Sequence, residues 1–150
     1  MQRSITHQNN LTPFIYVGVF IIFSSMSSIY LILPPMLGVL FVLFKKSMDK
    51  SDSIYILLVS LCLVIFEINN GYTLFSSILY FFIVYKLVLP KIKQNFSCLS
   101  CMKIAYVLIA YLGYYFFLIL MSNIFLLPEP SINYYIVYYI VIEFFLVSLL

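Results

Sequence analysis

The chain has 150 residues, of which 65% are hydrophobic and only 9% are charged, and its formal net charge is +3. Soluble globular domains carry roughly 25% charged residues, so this composition excludes that class and predicts an all-α integral membrane protein. At about 20 residues per membrane-spanning helix, one domain over residues 1–150 has room for about six spans. The lysines flank the apolar segments, which favours contact with membrane lipid over binding of nucleic acid.

The first predicted span covers residues 14–33. Ser24 and Ser28 stand at i and i+4 near its centre, a spacing of small residues that lets two helix backbones approach closely in lipid. We therefore expect another helix to pack against this serine pair. Alternatively, each hydroxyl bonds to a carbonyl of its own helix and needs no partner.

Pro34 and Pro35 interrupt the apolar sequence that follows. Proline lacks the backbone N–H and its ring clashes with the preceding turn, so these residues cannot lie inside a straight helix. A single helix over residues 14–44 would also be about 46 Å long, well beyond a hydrocarbon core of about 30 Å. The prolines therefore predict a tight hairpin. A short second span at residues 35–44 follows, which either crosses or re-enters the membrane.

Four more spans follow from the remaining apolar segments. Their predicted boundaries are residues 54–67, 73–89, 104–127 and 132–150. We expect Pro90 to end the fourth span, because proline cannot continue a regular helix. Two lysine-bearing aqueous loops, at residues 45–52 and 91–103, and a stiff Pro-Glu-Pro turn at residues 128–130 connect the spans.

Basic residues are segregated to one side of this predicted topology. With six spans, the N-terminus, the two lysine-bearing loops and the C-terminus lie on the same side of the membrane. The basic residues of that side are Arg3, Lys45, Lys46, Lys50, Lys91, Lys93 and Lys103. Because positively charged loops stay in the cytoplasm, we expect both termini to be cytoplasmic.

The segment 67–74, Glu-Ile-Asn-Asn-Gly-Tyr-Thr-Leu, concentrates polar groups between two apolar runs. A carboxylate at the centre of a membrane helix costs roughly 2.5–3.5 kcal/mol on insertion scales. Glu67, Asn69 and Asn70 therefore either form a polar turn in interfacial water or anchor a contact, inside the bundle or with a partner. Gly71 ends this turn, where a residue without Cβ can take φ > 0 or admit another backbone. Our hypothesis is a partner-docking surface.

Two charged residues lie inside predicted spans. Glu143 shares one face of the last span with Tyr135 and Tyr139, because these residues recur at i+4. Lys86 lies near the cytoplasmic end of the fourth span. Since intramembrane charges usually pair inside the bundle, we expect a contact between Lys86 and Glu143. The alternatives are that the Lys86 ammonium reaches the headgroups and that a protonated Glu143 carboxyl bonds to a tyrosine.

No motif in the sequence indicates catalysis or a cofactor. Cys98 and Cys101 have C-x-x-C spacing, but a structural zinc site needs four ligands. The other candidate ligands, His7 and Cys62, are poorly placed, so we expect two ordinary thiols and no metal. The sequence contains no nucleophile–base arrangement and no phosphate-binding glycine loop, so we expect a protein that is not an enzyme.

The middle of the chain resembles the signature of the bacterial rod-shape-determining MreD family. That signature is an acid, three residues, a glycine, two residues and a leucine before a long apolar span; here these positions are Glu67, Gly71 and Leu74. The layout is similar too, with about the same length, about six spans and a proline, here Pro34, opening a short second span. Two positions depart: the family acid is commonly Asp, and a second glycine often follows the leucine, where this chain has Phe75.

The resemblance implies a non-enzymatic scaffold of the bacterial inner membrane that works with MreC, the MreB filament and the peptidoglycan synthases in cell elongation. The family fold is similar to that of the substrate-binding subunits of ECF-type vitamin transporters. That similarity supplies a rival class, a small-solute binding subunit in which Glu67, Asn69 and Asn70 contact the ligand. An unrelated small accessory subunit is a third possibility. The scaffold is favoured because the spans carry few convergent polar groups, whereas a carrier lines a midplane site with several.

Overall fold

The computed structural model describes residues 12–30, 32–95, 98–126 and 134–149, and these residues form six helices and no strand. This confirms the all-α class. The helices are α1 (Thr12–Ile29), α2 (Leu37–Lys50), α3 (Ser53–Asn70), α4 (residues 76–95), α5 (residues 99–125) and α6 (Ile136–Leu149). Helix α4 joins Ser76–Ile83, a π-helical turn at Val84–Val88, and Leu89–Asn95. Helix α5 joins Leu99–Leu108, a π-helical turn at Ile109–Gly113, and Tyr114–Phe125.

Helix α2 extends through most of the predicted aqueous loop at residues 45–52. The Lys45 ammonium lies 3.6 Å from the Asp49 carboxylate, and opposite charges at i and i+4 stabilise a helix. The helix ends only where Ser51 adopts the left-handed conformation, with φ 55°. The helix therefore extends beyond the predicted span at residues 35–44, and local ion pairing contributes to keeping its charged end helical.

The predicted stop at Pro90 is also wrong, because α4 continues to Asn95. The π-helical turn immediately before the proline changes the backbone bonding there, with the N–H of Leu89 donating to the carbonyl of Val84. Such a turn inserts one extra residue and absorbs local distortion that would otherwise kink or end a helix. Together with the start of α5 at Leu99, this leaves little of the predicted loop at residues 91–103 outside a helix.

The remaining boundaries are closer to the prediction. Pro34 and Pro35 lie between α1 and α2, as expected, although α1 already ends at Ile29. Helix α6 begins at Ile136, a few residues later than predicted. The Pro-Glu-Pro turn at residues 128–130 lies outside the described residues.

Helix α2 occupies the middle of the bundle. It packs against α3, α5 and α6, while α1 packs on α3, and α4 contacts α3 and α5. Phe41 of α2 is fully buried, with its ring centroid 4.9 Å from that of Phe81 and 6.1 Å from that of Tyr106. Edge-to-face pairs of this kind add about 0.5–1.5 kcal/mol each beyond the burial of apolar area.

The outside of the bundle is strongly apolar. On α1 alone, Ile22 is 66% exposed and Ile29 is 73% exposed. Two helical segments, Ser53–Asn70 and Ser100–Phe125, are long and apolar enough to cross a membrane, with mean hydropathies of 1.9 and 2.1. Two further apolar helices, Val17–Ile29 and Ile136–Leu149, are shorter.

Contacts between helices gather the lysine-bearing ends at one end of the bundle. The Lys45 ammonium of α2 lies 5.1 Å from the centroid of the Tyr106 ring near the start of α5. The Lys103 ammonium, also near the start of α5, donates to the carbonyl of Ser148 at the end of α6 at 2.9 Å. These contacts place the end of α2 that carries Lys45 and the end of α6 beside the start of α5.

Gly113 is needed where α4 meets the π-helical turn of α5. The Tyr80 hydroxyl donates to the Ile109 carbonyl at 2.7 Å, and a Cβ at position 113 would overlap that hydroxyl. We expect Gly113→Ala to lower the free energy of unfolding by about 1–3 kcal/mol through overpacking. Gly18→Ala is the matched control, because nothing lies within 4 Å of its Cβ position and alanine favours a helix. Thermal unfolding followed by circular dichroism should separate the two variants; equal melting temperatures would contradict this account.

Candidate functional site

Helix α3 ends in a Schellman motif built around Gly71. Gly71 adopts φ 67°, and its N–H bonds to the carbonyl of Ile68 at 3.3 Å. The N–H of Tyr72 bonds to the carbonyl of Glu67 at 3.0 Å, and the rings of Tyr72 and Phe66 lie 5.9 Å apart. Both the bonding and the hydrophobic contact define this cap. No atom approaches the Cβ position of Gly71, so the glycine is required for its positive φ, one of the two roles predicted.

The turn after Gly71 carries the start of α4 directly onto the Glu67 carboxylate. The N–H of Phe75 donates to Oε2 at 2.6 Å, and the N–H of Ser77 donates to Oε1 at 2.5 Å. The hydroxyls of Ser76 and Ser77 donate to the same Oε1 at 3.1 and 2.6 Å. The first N–H groups of a helix lack partners in the helix and form the positive end of its dipole, so a carboxylate stabilises them.

Glu67 therefore anchors a contact inside the bundle and does not form part of a docking surface. Its side chain is 0% exposed, which excludes both the interfacial-water interpretation and direct contact with a partner protein. Glu67 is buried because four hydrogen-bond donors at the start of the next helix lie within ten residues of it in the sequence. The helix start is more favourable than water because its donors are already in place.

The start of α4 contains backbone strain that this carboxylate holds in place. Phe75 adopts a left-handed conformation with φ 66°, which costs roughly 1–2 kcal/mol for a residue with a Cβ. Its N–H points at Glu67, and the next residue, Ser76, shares a hydrogen bond of 2.9 Å with the hydroxyl of Tyr114 on α5. The site thus joins α3, α4 and α5.

Glu143 repeats the same arrangement at the start of α2. Its side chain is 0% exposed, and its Oε2 accepts the N–H of Gly38 at 2.6 Å. Its Oε1 accepts the hydroxyl of Tyr111 on α5. As in α4, the residue before the helix is left-handed, here Met36 with φ 58°. A Cβ on Gly38 would lie 2.6 Å from the Glu143 oxygen, so glycine gives the carboxylate access to the backbone.

The predicted contact between Lys86 and Glu143 is not formed. Glu143 is enclosed by the start of α2, whereas Lys86 is exposed on the outer face of α4, with its ammonium 5.1 Å from the centroid of the Phe82 ring. A tyrosine does bond to Glu143, as the alternative expected: the hydroxyl of Tyr111 donates to its carboxyl group. Tyr139 is buried on the same helix as Glu143 and its ring centroid lies 6.4 Å from that of Tyr135.

The serine pair of α1 divides between its two predicted roles. Ser24 is buried and accepts a hydrogen bond of 2.9 Å from the amide of Asn69, which ties α1 to the end of α3. Ser28 is exposed and donates to the carbonyl of Ser25 in its own helix at 2.8 Å. Close packing therefore involves one serine and not both.

The other predicted site residues lie on the surface at this end of the bundle. Asn70 is exposed and its amide donates to the carbonyl of Phe66 at 2.8 Å, within its own helix. Leu74 is 57% exposed, and the side chains of Ile68 and Phe75 in the same segment are exposed too. What remains of the predicted docking surface is this apolar tip, and the carboxylate beneath it fixes its shape.

An apolar groove of about 450 Å³ lies between α4 and α5, beside their two π-helical turns. The one polar side chain on its walls is Tyr80, whose hydroxyl already bonds to Ile109. A site for a polar solute needs several convergent polar groups, so this groove is better suited to an apolar ligand or to apolar side chains. Its lining residues are Tyr80, Ile83, Val84, Val88, Leu108, Ile109, Leu112, Gly113, Phe116, Phe117 and Leu120.

Cys98 and Cys101 lie at the start of α5, and both are exposed. Cys98 is the N-cap residue, and a hydrogen bond from the backbone N–H of Cys101 lowers the pKa of its thiol. Within the described residues, no group of three or more His, Cys, Asp or Glu side chains is placed to hold a metal ion. His7 lies outside the described residues.

Several residues of the two carboxylate sites were missed from the sequence. Ser76 and Ser77 carried a usable signal, because serine is common at helix starts. Gly38 and Tyr111 carried none, since their roles depend on an acid more than thirty residues away. The chain matches no family model, no curated protein and no solved structure with which it was compared.

The two carboxylates should respond differently to replacement by glutamine. Both oxygens of Glu67 face backbone N–H groups, which can only donate, so an amide nitrogen must oppose one of them. In Glu143, Oε1 faces the Tyr111 hydroxyl, which can reverse and accept from an amide. We expect Glu67→Gln to lower the free energy of unfolding by about 2–3 kcal/mol, and Glu143→Gln by clearly less. The free energies of unfolding are measured by chemical denaturation of both variants, with Asn70→Ala as the control. A larger loss for Glu143→Gln than for Glu67→Gln would contradict these bonding assignments.

Proposed function

We propose that the protein is a multi-pass integral membrane protein whose six helices all cross the bacterial inner membrane as one bundle. Support comes from the distribution of polarity: the outside is apolar, while two carboxylates are fully buried and hydrogen-bonded. Lipid offers no hydrogen bonds, so a polar group in a membrane must find its partners inside the protein. The lysine-bearing end would face the cytoplasm, which puts the Glu67 site toward the outside.

Within that membrane the protein acts as a non-enzymatic scaffold of the cell-elongation machinery, similar to MreD. The observation that carries this proposal is the Glu67 site, where the acid and glycine of the signature form one structural unit with the start of α4. Phe75, which differs from the family signature, also supports the proposal. It adopts φ 66°, a conformation that glycine takes without strain, at the position where the family often has glycine.

The geometry favours a scaffold over a solute-binding subunit. The polar groups proposed as ligand contacts are already engaged: Glu67 by α4, Asn69 by Ser24, and Asn70 by its own helix. The groove between α4 and α5 has almost no polar lining. A scaffold needs a rigid bundle with a defined outer surface, and internal polar contacts between helices supply that rigidity.

The membrane disposition can be measured by cysteine labelling. In a chain with serine at positions 62, 98 and 101, Ser51→Cys and Leu74→Cys introduce single thiols at opposite ends of the bundle, both exposed. We expect a membrane-impermeant maleimide to label Leu74→Cys in spheroplasts and Ser51→Cys only after permeabilisation. Labelling of both thiols from the same side would overturn the six-span topology.

The scaffold role can be tested in rod-shaped host cells. Depletion of the protein should widen and round the cells, and a tagged copy should retrieve the MreC protein of that host. Gly71→Val should abolish both rescue of shape and retrieval, because valine cannot adopt φ 67° without strain. Gly18→Val is the control, with no atom near its Cβ position, and should retain both. Normal shape on depletion, together with lost uptake of a small solute, would favour the transporter class instead.

A further inference from the structure

Lys86 stands on the outer face of α4, near the C-terminal end of an apolar stripe. The neighbouring residues on this face, all exposed, are Leu79, Phe82, Ile83 and Leu87. In the proposed membrane this face meets hydrocarbon, where a lysine is costly. The ammonium lies over the ring of Phe82, one turn toward the start of α4 and away from the lysine-bearing end. The side chain therefore does not extend toward the cytoplasmic headgroups.

No ion pair of the described residues includes this lysine. Among the described residues, the ion pair formed joins Lys45 to Asp49. Glu67 and Glu143, the acids of the bundle interior, are both 0% exposed and fully engaged by helix starts and hydroxyls. The exposed acids among the described residues, Asp49 and Asp52, lie at the lysine-bearing end of the bundle. The Lys86 ammonium is directed away from that end, so a second copy in the same orientation does not bring a carboxylate to it.

The stripe continues into a concave surface. Ile83 belongs both to the exposed face of α4 and to the wall of the groove between α4 and α5. Leu112 and Phe116, on the α5 side of the groove, are 55% and 62% exposed. A helix lying along this groove would have Lys86 at its rim and would cover apolar side chains of both helices.

We propose that this surface, the Lys86 stripe and the adjoining groove, binds a membrane-spanning helix of a different protein that carries an aspartate or glutamate at the depth of Lys86. The inference rests on the proposed membrane location and deepens the scaffold role by naming the class of partner. Charge complementarity selects the partner, because a carboxylate and an ammonium that pair in hydrocarbon relieve a cost that each would otherwise bear alone. The apolar groove supplies the packing surface.

A defined probe tests the charge requirement. The protein is reconstituted in phosphatidylcholine vesicles with a labelled synthetic transmembrane peptide of leucine and alanine that has one central glutamate, or glutamine in the matched peptide. We expect the glutamate peptide to bind about five- to thirtyfold more tightly, the range of an interhelical polar contact in lipid. Lys86→Leu should remove this preference, and Lys86→Arg should keep it. Lys91→Leu, an exposed lysine of the same helix outside the stripe, should also keep it.

Equal binding of the two peptides, or a preference that survives Lys86→Leu, would overturn the inference. Energy transfer between labelled copies of the protein that excludes the peptide would overturn it too, since the surface would then bind a second copy. Resistance of the reconstituted protein to alkaline extraction is measured first. Failure to insert would overturn the membrane proposal together with this inference, whereas insertion without peptide preference would overturn the inference alone.

Discussion

A buried carboxylate facing the start of a helix is the interaction on which this structure depends. The first N–H groups of a helix have no partner within it, and a carboxylate removed from water is unfavourable by several kcal/mol unless it is hydrogen-bonded. When the carboxylate accepts hydrogen bonds from these N–H groups, both are satisfied, and the helix dipole adds to the attraction. The arrangement occurs twice, with Glu67 at the start of α4 and Glu143 at the start of α2. In both, a residue with positive φ turns the chain so that the N–H groups point at the acid.

The two carboxylate contacts differ in how far apart in the sequence the residues are that they join. Glu67 reaches donors only eight to ten residues away, so it fixes the angle between α3 and α4 as a local turn. Glu143 reaches Gly38 across 105 residues and thereby holds the start of α2 against α6. Helix α5 takes part in both, because Tyr111 bonds to Glu143 and Tyr114 bonds to a serine of the Glu67 site. Helix α5 thus connects the two carboxylate sites.

The polar groups of the interior and of the surface differ in whether they have partners within the chain. Glu67, Glu143 and the amides of Asn69 and Asn70 all form hydrogen bonds within the chain. Among the residues that the structure describes, Lys86 is an exposed charged group with apolar neighbours on its face of α4. In the proposed scaffold, this lysine contacts a partner protein and not a small polar ligand.

The sequence by itself determined the features that depend on composition and on near neighbours. The apolar content predicted an all-α protein, Pro34 and Pro35 marked the break between α1 and α2, and Gly71 was placed at a turn where either positive φ or a close backbone was expected. These outcomes follow from constraints within a few residues of each position. Tertiary structure alone decided the rest. Pro90 lies within a helix because a π-helical turn precedes it, and Glu143 bonds to Gly38 and Tyr111 instead of Lys86 because folding brings the start of α2 to it. A side chain's hydrogen-bond partner in a bundle is selected by which helices pack together, and no local pattern encodes that choice.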